Sequence, residues 1–499
     1  MNISTFLENE YKIRNWDPTS ERSREQINAI ERLVGGENLL LIQSTGWGKT
    51  VVYALATKYL RQSGLGPTII VSPTLNLIRN QMRTLNGYGL RCETINHENK
   101  ERHQNIYNAV NQNKLDVVLV SPEKATDEFF INKTGSPSLL VCDEAHCISE
   151  MGHDFRPDYK ALYKYIATTS DSTRILATTA TADTFVENDV INQLGNLSII
   201  RGNLDKPNLA IDVIKFSKDD DSFSLFTNKK IHWLRKNIPD IFNQHKRVII
   251  FCTKKSTVNN VFCRLNDFNN REDWNLRIGK FYSDGRLPRN KIIDAVEAGG
   301  IDVMVCTGPS LGVGIDAEFG CTIHYDPPMS IAQLYQEVGR AGRCAKSTPN
   351  AQSYIFYSPK NAANSTKTIK SNCVDGDIAT SIYDLLKTTD ASLDEIINAC
   401  SFKENNPKLQ RTLNILTSCN CIEFKNGVYR LSTCSLEDAL KTDEKITNHK
   451  IDAFNHLLSS ILSNDACIMQ QMRVALGDPS PNIQPCGKCS VCRQNSLRC

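Results

Sequence analysis

One stretch of the chain has the residue types and spacing to bind the phosphates of a nucleotide. Its sequence is Ser44-Thr45-Gly46-Trp47-Gly48-Lys49-Thr50, and it lies between an apolar run and a helical pattern. In that setting backbone N–H groups can point at phosphate oxygens, with the helix dipole behind them. Lys49 would reach the β and γ phosphates, and the Thr50 hydroxyl would bind Mg²⁺. The full phosphate-loop pattern has Gly where Gln43 stands, so the match is to a shorter variant.

A pair of adjacent acids could complete this chemistry. Asp143 and Glu144 follow the apolar run Leu139–Cys142, which is typical of a buried parallel strand. Acids just past the carboxyl end of such a strand lie where open α/β sheets bind ligands. Asp143 would hold Mg²⁺, directly or through water, and Glu144 would polarise the attacking water. The alternative is a solvated pair of charges at the end of a strand.

Two arginines far along the chain could supply the cations that phosphoryl transfer needs. Negative charge spreads over the phosphate oxygens in the transition state, and cations stabilise that charge when the site closes. The segment Gln336–Arg343 carries Arg340 and Arg343 with glycines between them. We expect both to bind the γ phosphate from a second domain, with Arg343 the preferred arginine finger. The alternative is an ordinary solvated helix face.

Length and composition limit the classes of protein that the chain can belong to. Its 499 residues predict about three domains. Its apolar fraction of 40% and charged fraction of 23% are ordinary for a globular protein, and a net charge of +3 means that any nucleic-acid surface must be local. No apolar run approaches the roughly 18 residues of a membrane span, and the first residues lack the pattern of a secretion signal. We therefore expect a cytoplasmic protein without membrane contact.

Apolar, β-branched runs alternate with helical patterns in two successive blocks. Strands separated by helices indicate parallel sheets built from right-handed βαβ units. The sequence therefore predicts two doubly wound α/β domains with a junction near residue 207. The predicted strands are Asn38–Ile42, Thr68–Val71, Val117–Val120, Leu139–Cys142, Ile175–Thr178, Val248–Cys252, Val303–Cys306, Thr322–Tyr325 and Ser353–Phe356.

The last quarter of the chain has a different pattern, in which helices precede a short hairpin. Asn426-Gly427 is a strong signal for a two-residue hairpin turn. Three helices and a hairpin suggest a winged helix, and a small helical packing domain is the alternative. A long helical stretch, Asp443–Leu476, follows. The predicted elements around the turn are the helices Ile378–Lys387, Leu393–Cys400 and Lys408–Ser418 and the strands Ile422–Lys425 and Val428–Leu431.

Cysteines are frequent, with 18 in the chain. Most occur singly in apolar runs, where a free thiol behaves as a small hydrophobe. The exception is the cluster Cys486-Gly487-Lys488-Cys489-Ser490-Val491-Cys492. In a cytosolic protein such a cluster favours a bound metal over disulfides.

Taken in order, these motifs resemble those of the RecQ-type DNA helicases of superfamily 2. The most specific part is Asp143-Glu144-Ala145-His146-Cys147-Ile148-Ser149-Glu150-Met151-Gly152-His153-Asp154-Phe155-Arg156-Pro157-Asp158-Tyr159, which runs from the acids into the family's aromatic-rich loop. The resemblance covers residues 20 to 360. It implies two tandem RecA-like domains, ATP hydrolysis, and a loop that senses single-stranded DNA.

The resemblance also implies roles for individual residues. Gln26 would bind the adenine, Trp16 and Tyr11 are candidates for stacking on it, and Thr179-Ala180-Thr181-Ala182 would couple the ATP and DNA sites. The residues expected to hold ATP are Gln26, Thr45, Gly46, Gly48, Lys49, Thr50, Asp143, Gly314 and Asp316. The residues expected to contact DNA are Ser72, Pro73, Thr74, His153, Phe155, Arg156, Thr253 and Thr307.

The family's zinc module places one cysteine on a helix before a Cys-x-x-Cys-x-x-Cys run. Cys467, Cys486, Cys489 and Cys492 match this arrangement, and four thiolates suit a closed tetrahedral zinc site. Cys499 competes as the fourth ligand. An iron–sulfur cluster is the alternative metal group.

Three features depart from the family's pattern. Met151 stands where the sensing loop normally has Trp, which removes a surface for base stacking. The hairpin candidate precedes the cysteine module, whereas the family's winged helix follows it. Ser23 stands at the position of an arginine near the adenine glutamine, with Arg22 and Arg24 on either side.

The sequence therefore predicts an ATP-dependent DNA helicase that moves 3′ to 5′ on single-stranded DNA and unwinds forked duplexes in repair or recombination. It would act as a monomer with ATP, Mg²⁺ and Zn²⁺. The predicted domains are 1–207 and 208–370, both RecA-like, then a winged-helix-like module at 371–440 and a helical zinc-binding module at 441–499. One alternative is a DNA-stimulated ATPase that remodels a protein–DNA complex, perhaps with repair or phage-defence partners. The other is a DNA-binding scaffold with an inactive nucleotide site.

Overall fold

The computed structural model describes most of the chain. The described residues are 2–150, 159, 162–217, 228–282, 289–308, 317–343, 348–401, 406–425, 427–462 and 466–496. The predicted site residues that lie outside these ranges are His153, Phe155, Arg156, Gly314 and Asp316. Met151, Asn426 and Cys499 lie outside them too.

The first lobe is built on a parallel sheet that has seven strands among the described residues. Their order is β3-β4-β2-β5-β6-β1-β7. The central strands are mostly apolar because helices cover both faces of the sheet. The strands are β1 (Leu39–Ile42), β2 (Thr68–Val71), β3 (Cys92–Ile95), β4 (Val117–Val120), β5 (Leu139–Asp143), β6 (Arg174–Thr179) and β7 (Ser198–Arg201).

The helices of the first lobe mostly begin at a side chain that caps them. Ser20, Thr74 and Asp183 each accept a hydrogen bond from a backbone N–H in the first turn that follows. Helix α3 is different, since Gly48 precedes it and gives no side-chain cap. The helices are α1 (Ile3–Ile13), α2 (Glu21–Val34), α3 (Lys49–Gln62), α4 (Leu75–Gly87), α5 (His103–Asn111), α6 (Pro122–Ala125), α7 (Glu128–Thr134), α8 (Cys147–Glu150), α9 (Leu162–Ile166) and α10 (Thr184–Leu194), with a 3₁₀ turn at Lys100–Arg102.

The second lobe repeats this architecture with a parallel sheet that has six strands among the described residues, in the order β10-β11-β9-β12-β13-β8. Its strands are β8 (Leu209–Lys215), β9 (Val248–Cys252), β10 (Ile278–Phe281), β11 (Val303–Thr307), β12 (Cys321–His324) and β13 (Ala351–Tyr357). Its helices are α11 (Lys229–His245), α12 (Lys255–Glu272), α13 (Arg289–Glu297), α14 (Ile331–Val338) and α15 (Pro359–Ser371).

The C-terminal region is mostly helical. Three helices and an antiparallel hairpin share one apolar core, and the later helices pack on the second lobe. The elements are α16 (Gly376–Leu386), α17 (Leu393–Ala399), α18 (Pro407–Ser418), β14 (Ile422–Lys425), β15 (Val428–Leu431), α19 (Leu436–Leu457), a π-helical turn at Leu458–Leu462, α20 (Ile468–Ala475) and α21 (Ser490–Ser496).

These elements confirm the predicted fold class of two parallel-sheet lobes and a helical C-terminal region with a cysteine cluster. One element needs correction, because the single helical stretch predicted for Asp443–Leu476 is two helices. Helix α19 begins earlier, at Leu436, where the Ser435 side chain caps it. Helix α20 begins afresh after Cys467. The backbone of Cys467, with a ψ of 121°, is not helical, so a new helix has to begin after it.

Sheet topology brings the predicted chemistry to one edge. Strand β6 lies between β1, which leads into the phosphate loop, and β5, which leads into the acids. Because all three strands are parallel, their carboxyl ends meet at the same edge of the sheet. The loop and the acids, about a hundred residues apart in sequence, therefore face one crevice.

Candidate nucleotide site and cysteine cluster

The phosphate loop adopts a backbone that suits anion binding. Gly46 and Gly48 have φ of 85° and 98°, in the left-handed region that glycine tolerates. No side chain caps the helix that starts at Lys49. Its first N–H groups therefore point out of the helix without a capping side chain, as a phosphate site requires.

Lys49 lies inside this cradle. Its Nζ donates to the Gln43 carbonyl oxygen at 3.0 Å, across the base of the loop. Burial lowers the pKa of the Lys49 ammonium, Glu144 and Asp143 oppose that shift, and Arg343 adds to it. The lysine therefore lies among both acids and an arginine of the other lobe.

Asp143 is buried and held by two donors. The Gln81 amide and the Thr178 hydroxyl each donate to one of its carboxylate oxygens. Burial, and then repulsion from Glu144, raise the pKa of Asp143 to about 6, against the opposing effects of Thr178 and Lys49. A cation beside this carboxylate would favour its charged form.

A short chain of hydrogen bonds links the two predicted magnesium ligands. Gln81, which donates to Asp143, also donates to the Tyr53 hydroxyl at 3.2 Å. The Tyr53 hydroxyl donates in turn to the Thr50 hydroxyl at 3.1 Å. Sequence motifs did not identify Gln81 or Tyr53, since neither is adjacent to a motif residue that would mark it.

Glu144 has an unusual backbone. Its φ of 52° lies in the left-handed region, where a residue with a side chain is strained. One carboxylate oxygen lies 3.3 Å from Nδ1 of His146. This conformation turns the two consecutive acids to different places, so that Asp143 faces the buried donors and Glu144 faces His146.

The two predicted arginines belong to the second lobe and meet the phosphate loop of the first. A Cβ added to Gly46 would lie 3.1 Å from the Arg343 carbonyl oxygen. Arg340 is buried, and burial followed by the charge of Arg343 lowers its pKa to about 10. The segment that carries both arginines therefore lies at the cleft between the lobes.

Helix α14, just before these arginines, contacts the segment predicted to couple the sites. The Gln336 side chain donates to the Thr181 hydroxyl at 3.1 Å and lies 3.3 Å from Nε2 of His146. His146 in turn lies 3.0 Å from the Thr179 hydroxyl. A continuous polar chain thus joins the second lobe to the acids and to the end of β6.

Gln26, the predicted adenine residue, lies next to the loop. It donates to the Trp47 carbonyl at 2.9 Å and accepts from the Tyr11 hydroxyl at 3.0 Å. Tyr11 is buried against the edge of Trp16. The Arg22 guanidinium lies near Gly48, where an added Cβ would be 2.9 Å from it. Arg22 therefore places a positive charge near the phosphate loop. It precedes Ser23, which stands at the position of the family's arginine.

The described residues predicted to contact DNA follow the carboxyl ends of strands in both lobes. Ser72 and Pro73 are buried, while Thr74 is partly exposed. In the second lobe, the backbone N–H and the hydroxyl of Thr253 both donate to Asp326 at 3.0 Å. Thr307 is partly exposed at the end of β11.

Four cysteines converge in the C-terminal region. The sulfur atoms of Cys467, Cys486, Cys489 and Cys492 all lie within 4.8 Å of one another. Backbone N–H groups of Lys488 and Cys489 donate to the Cys486 sulfur at 3.4 Å. Such donors stabilise thiolates, and four thiolates at this spacing fit a tetrahedral metal site.

Hydrogen bonds connect the cysteine module to the second lobe and to the segment between the lobes. Arg493 makes two hydrogen bonds of 2.8 Å with the Asp212 carboxylate on β8. Asp478 accepts from Arg473 at 2.7 Å and from the backbone N–H of Leu204 at 2.8 Å. The module therefore restrains the chain where it passes from one sheet to the other.

Comparisons with known proteins agree with this geometry. Residues 23–188 match the DEAD/DEAH box helicase family, and residues 229–345 match the helicase conserved C-terminal domain. The chain is 28% identical over 476 residues to the ATP-dependent DNA helicase hus2/rqh1 of Schizosaccharomyces pombe. This match covers 92% of this chain and 33% of that protein. It is 28% identical over 345 residues to the ATP-dependent DNA helicase RecQ of Haemophilus influenzae, and this match covers 68% of this chain and 51% of that protein. The chain carries both helicase domains and is similar to RecQ-type DNA helicases.

The match to RecQ-type proteins is partial in length. The ATP-dependent helicase wrn-1 of Caenorhabditis elegans is 30% identical over 350 residues, 67% of this chain and 31% of that protein. The chain thus spans about a third to a half of the length of these relatives.

Solved helicase structures share the fold of this chain. Dbp5 of Saccharomyces cerevisiae, bound to RNA and ADP BeF3, has a TM-score of 0.55 at 17% identity, and the match covers 73% of this chain and 90% of that one. The helicase Lhr of Mycobacterium smegmatis, bound to single-stranded DNA and AMP-PNP, has a TM-score of 0.56 at 17% identity and covers 88% of this chain and 61% of its own. In the described part of the chain, every helix is too short or too polar to cross a bilayer.

Proposed function

We propose that the protein is an ATP-dependent DNA helicase that couples ATP hydrolysis to 3′ to 5′ movement on single-stranded DNA and to duplex unwinding, in repair or recombination. One observation carries the proposal: the phosphate loop of one lobe lies against the arginine segment of the other. A Cβ atom added to Gly46 would lie 3.1 Å from the Arg343 carbonyl oxygen. A triphosphate in the loop would have cations of both lobes around it, the arrangement that phosphoryl transfer needs.

The residues of the cleft would divide the work of hydrolysis. Lys49 would bind the β and γ phosphates, and Arg343 and Arg340 would stabilise the charge that develops on the γ phosphate. Glu144 would orient the attacking water and accept its proton as the new bond to the γ phosphorus forms and the bond from that phosphorus to the departing ADP breaks. The remaining nucleotide contacts would come from Gln26, Thr45, Gly46 and Gly48, and from Gly314 and Asp316 outside the described residues.

Thr50 and Asp143 would hold Mg²⁺. A hydroxyl and a carboxylate are oxygen ligands of the kind that this ion takes. The fit rests on Asp143, because burial raises its pKa and a cation would reverse that effect. When bound, the ion would neutralise charge between the β and γ phosphates.

DNA would bind across both lobes. Backbone and hydroxyl groups at Ser72-Pro73-Thr74 of the first lobe, and Thr253 and Thr307 of the second, would contact its phosphates. His153, Phe155 and Arg156 remain predicted contacts. The polar chain from Gln336 to His146 supports coupling, because closure of the lobes around ATP would alter both the acids and the DNA surface.

The four-cysteine cluster would hold a structural zinc ion. The fit rests on four sulfurs within 4.8 Å of one another, three of them buried, with backbone N–H donors to Cys486. Four cysteine ligands close the coordination sphere, so the ion would stabilise the fold of its module.

Domain limits and cellular context extend the proposal. The proposed limits are 1–207, 208–370, 371–440 and 441–499. A first sheet ending at Arg201 and a second beginning at Leu209 support the first of them. We expect a cytoplasmic monomer that acts on single-stranded and forked DNA, with repair or defence proteins as partners.

A second candidate is a DNA-stimulated ATPase that remodels a protein–DNA complex without robust unwinding. The hairpin β14–β15 favours it, since the hairpin precedes the cysteine module and Lys425 lies 3.6 Å from Glu128 of the first lobe. A hairpin held there need not lie where a duplex enters. The two candidates are distinguished by the release of a labelled strand from a forked duplex, because only a helicase would release that strand.

The proposal is tested by ATP turnover and fork unwinding in the wild type and in Lys49→Ala. We expect single-stranded DNA to stimulate turnover and Lys49→Ala to abolish it, because the lysine contacts the phosphates. Lys441→Ala is the matched control, since Lys441 is exposed and pairs with Glu437 on its own helix. Equal turnover with and without DNA would refute DNA coupling, and full turnover in Lys49→Ala would refute the site.

A further inference from the structure

A lysine outside both sheets lies at the phosphate loop. Lys206 belongs to the segment between β7 and β8 and is 8% exposed. Its Nζ lies 3.5 Å from the Thr45 carbonyl oxygen. Burial, and then the charges of Arg343 and Lys49, lower the pKa of Lys206 to about 8. Among the described residues, the charged groups that shift this pKa are therefore both cations.

This grouping of charges suits an anion. The charge of Arg343 lowers the pKa of Lys49, Lys206 and Arg340, and the charge of Lys49 also lowers that of Lys206. Asp143 and Glu144 are the acids that oppose this effect at Lys49. Buried like charges repel unless a counter-charge joins them. A nucleoside triphosphate carries several negative charges, and its phosphates would lie in the loop that Lys206 touches.

The segment around Lys206 is held so that the lysine faces the loop. The backbone N–H of Leu204 donates to Asp478 of the cysteine module at 2.8 Å, and its carbonyl accepts from the Tyr335 hydroxyl of α14 at 2.8 Å. Asn208 donates to the Gly342 carbonyl at 2.9 Å, directly before Arg343. Three contacts from the second lobe and the cysteine module thus restrain the segment on both sides of Lys206.

We propose that Lys206 is a phosphate ligand for the bound nucleoside triphosphate, supplied by the segment that joins the two lobes. This inference rests on the proposed ATPase function and adds a cation that belongs to neither sheet. Because the second lobe holds this segment while Lys206 touches the loop of the first, Lys206 would reach the phosphates only when the lobes are closed. Asp478 is a positioning residue, since it acts on Lys206 through Leu204.

The test compares wild type, Lys206→Met, Lys206→Arg and Asp478→Asn, with Lys215→Ala as an exposed control on β8. Binding of ATP with Mg²⁺ and of ADP is measured by displacement of a fluorescent nucleotide, beside kcat and KM for ATP. We expect Lys206→Met to weaken ATP binding by about tenfold or more, the effect of losing one charge-assisted hydrogen bond. Lys206→Arg restores much of the affinity, Asp478→Asn weakens it less, and Lys215→Ala matches wild type.

Two results would overturn the inference, and they are distinguishable from failure of the proposed function. If the wild type hydrolyses ATP and Lys206→Met binds ATP with unchanged affinity, then Lys206 only donates a hydrogen bond to the Thr45 carbonyl and does not bind phosphate. If Lys206→Met loses affinity but Lys206→Arg, with an unchanged thermal unfolding midpoint, is equally weak, the positive charge is not the cause. If wild type neither binds nor hydrolyses ATP, the function itself fails, and the role of Lys206 fails with it.

Discussion

Several charged side chains of the nucleotide site are held where burial disfavours their charged form. The pKa of Asp143 is raised, and those of Lys49, Lys206 and Arg340 are lowered, with burial the largest cause in each case. Glu144 adds a backbone in the left-handed region. Such features concentrate at functional sites, where a ligand supplies the missing counter-charges.

Motifs in the sequence predicted the residues of the site that stand in contiguous segments. Lys49 and the Asp143-Glu144 pair follow strands that the apolar runs reveal, so their shared edge followed from parallel topology. Gln81 and Lys206 could not be found in this way, because a single polar side chain gains its partner only when distant elements pack together. Their hydrogen bonds depend on tertiary structure and leave no local pattern.

Gln81 provides a prediction about the support of Asp143. Gln81→Leu keeps a similar side-chain volume but removes the amide that donates to Asp143 and to the Tyr53 hydroxyl. These two buried oxygen acceptors then lose that hydrogen bond. We expect about 10- to 100-fold weaker binding of ATP with Mg²⁺, as for lost partners of metal ligands. Magnesium titration of nucleotide binding measures this. Gln104→Leu on the exposed face of α5 is the control, and an unchanged magnesium dependence would contradict the assigned role.

At the scale of elements, the strands that the sequence did not predict share a position. Strands β3 and β7 form the edges of the first sheet, and β8 and β10 form the edges of the second. An edge strand has one neighbour and is less buried, so charged and small residues enter it, as Glu93 and Lys280 do. The central strands are apolar on both faces and were predicted within about two residues.

The cysteine module yields a prediction about metal content. Cys489→Ser removes one of four thiolates, so we expect the zinc content, near one per chain in wild type, to be lost and the thermal unfolding midpoint to fall. Elemental analysis by mass spectrometry gives the metal, and calorimetry gives the midpoint. Cys263→Ser is the control, because Cys263 is a free, exposed cysteine of α12. Iron with acid-labile sulfide in wild type would instead support the iron–sulfur alternative.

At the scale of the whole molecule, the C-terminal region contacts both lobes. His449 of α19 stacks on Phe185 of the first lobe with ring centroids 4.0 Å apart, and its Nε2 lies 3.5 Å from Asp183. The same helix packs on α14 and α15 of the second lobe. A change in the angle between the lobes must therefore alter contacts of the C-terminal region, which gives that region a route to influence ATP turnover. The sequence predicted these parts, but their mutual contacts required the structure.

The central claim is that one nucleotide site is shared between two lobes, and Arg343→Ala tests it most directly. ATP turnover is measured with and without single-stranded DNA in wild type, in Arg343→Ala, and in the exposed control Arg271→Ala on α12. We predict that DNA stimulates wild type and Arg271→Ala, and that Arg343→Ala lowers the stimulated kcat by about a thousandfold. Zinc content and the thermal unfolding midpoint should stay at wild-type values. Turnover by Arg343→Ala at the wild-type rate would contradict the shared site.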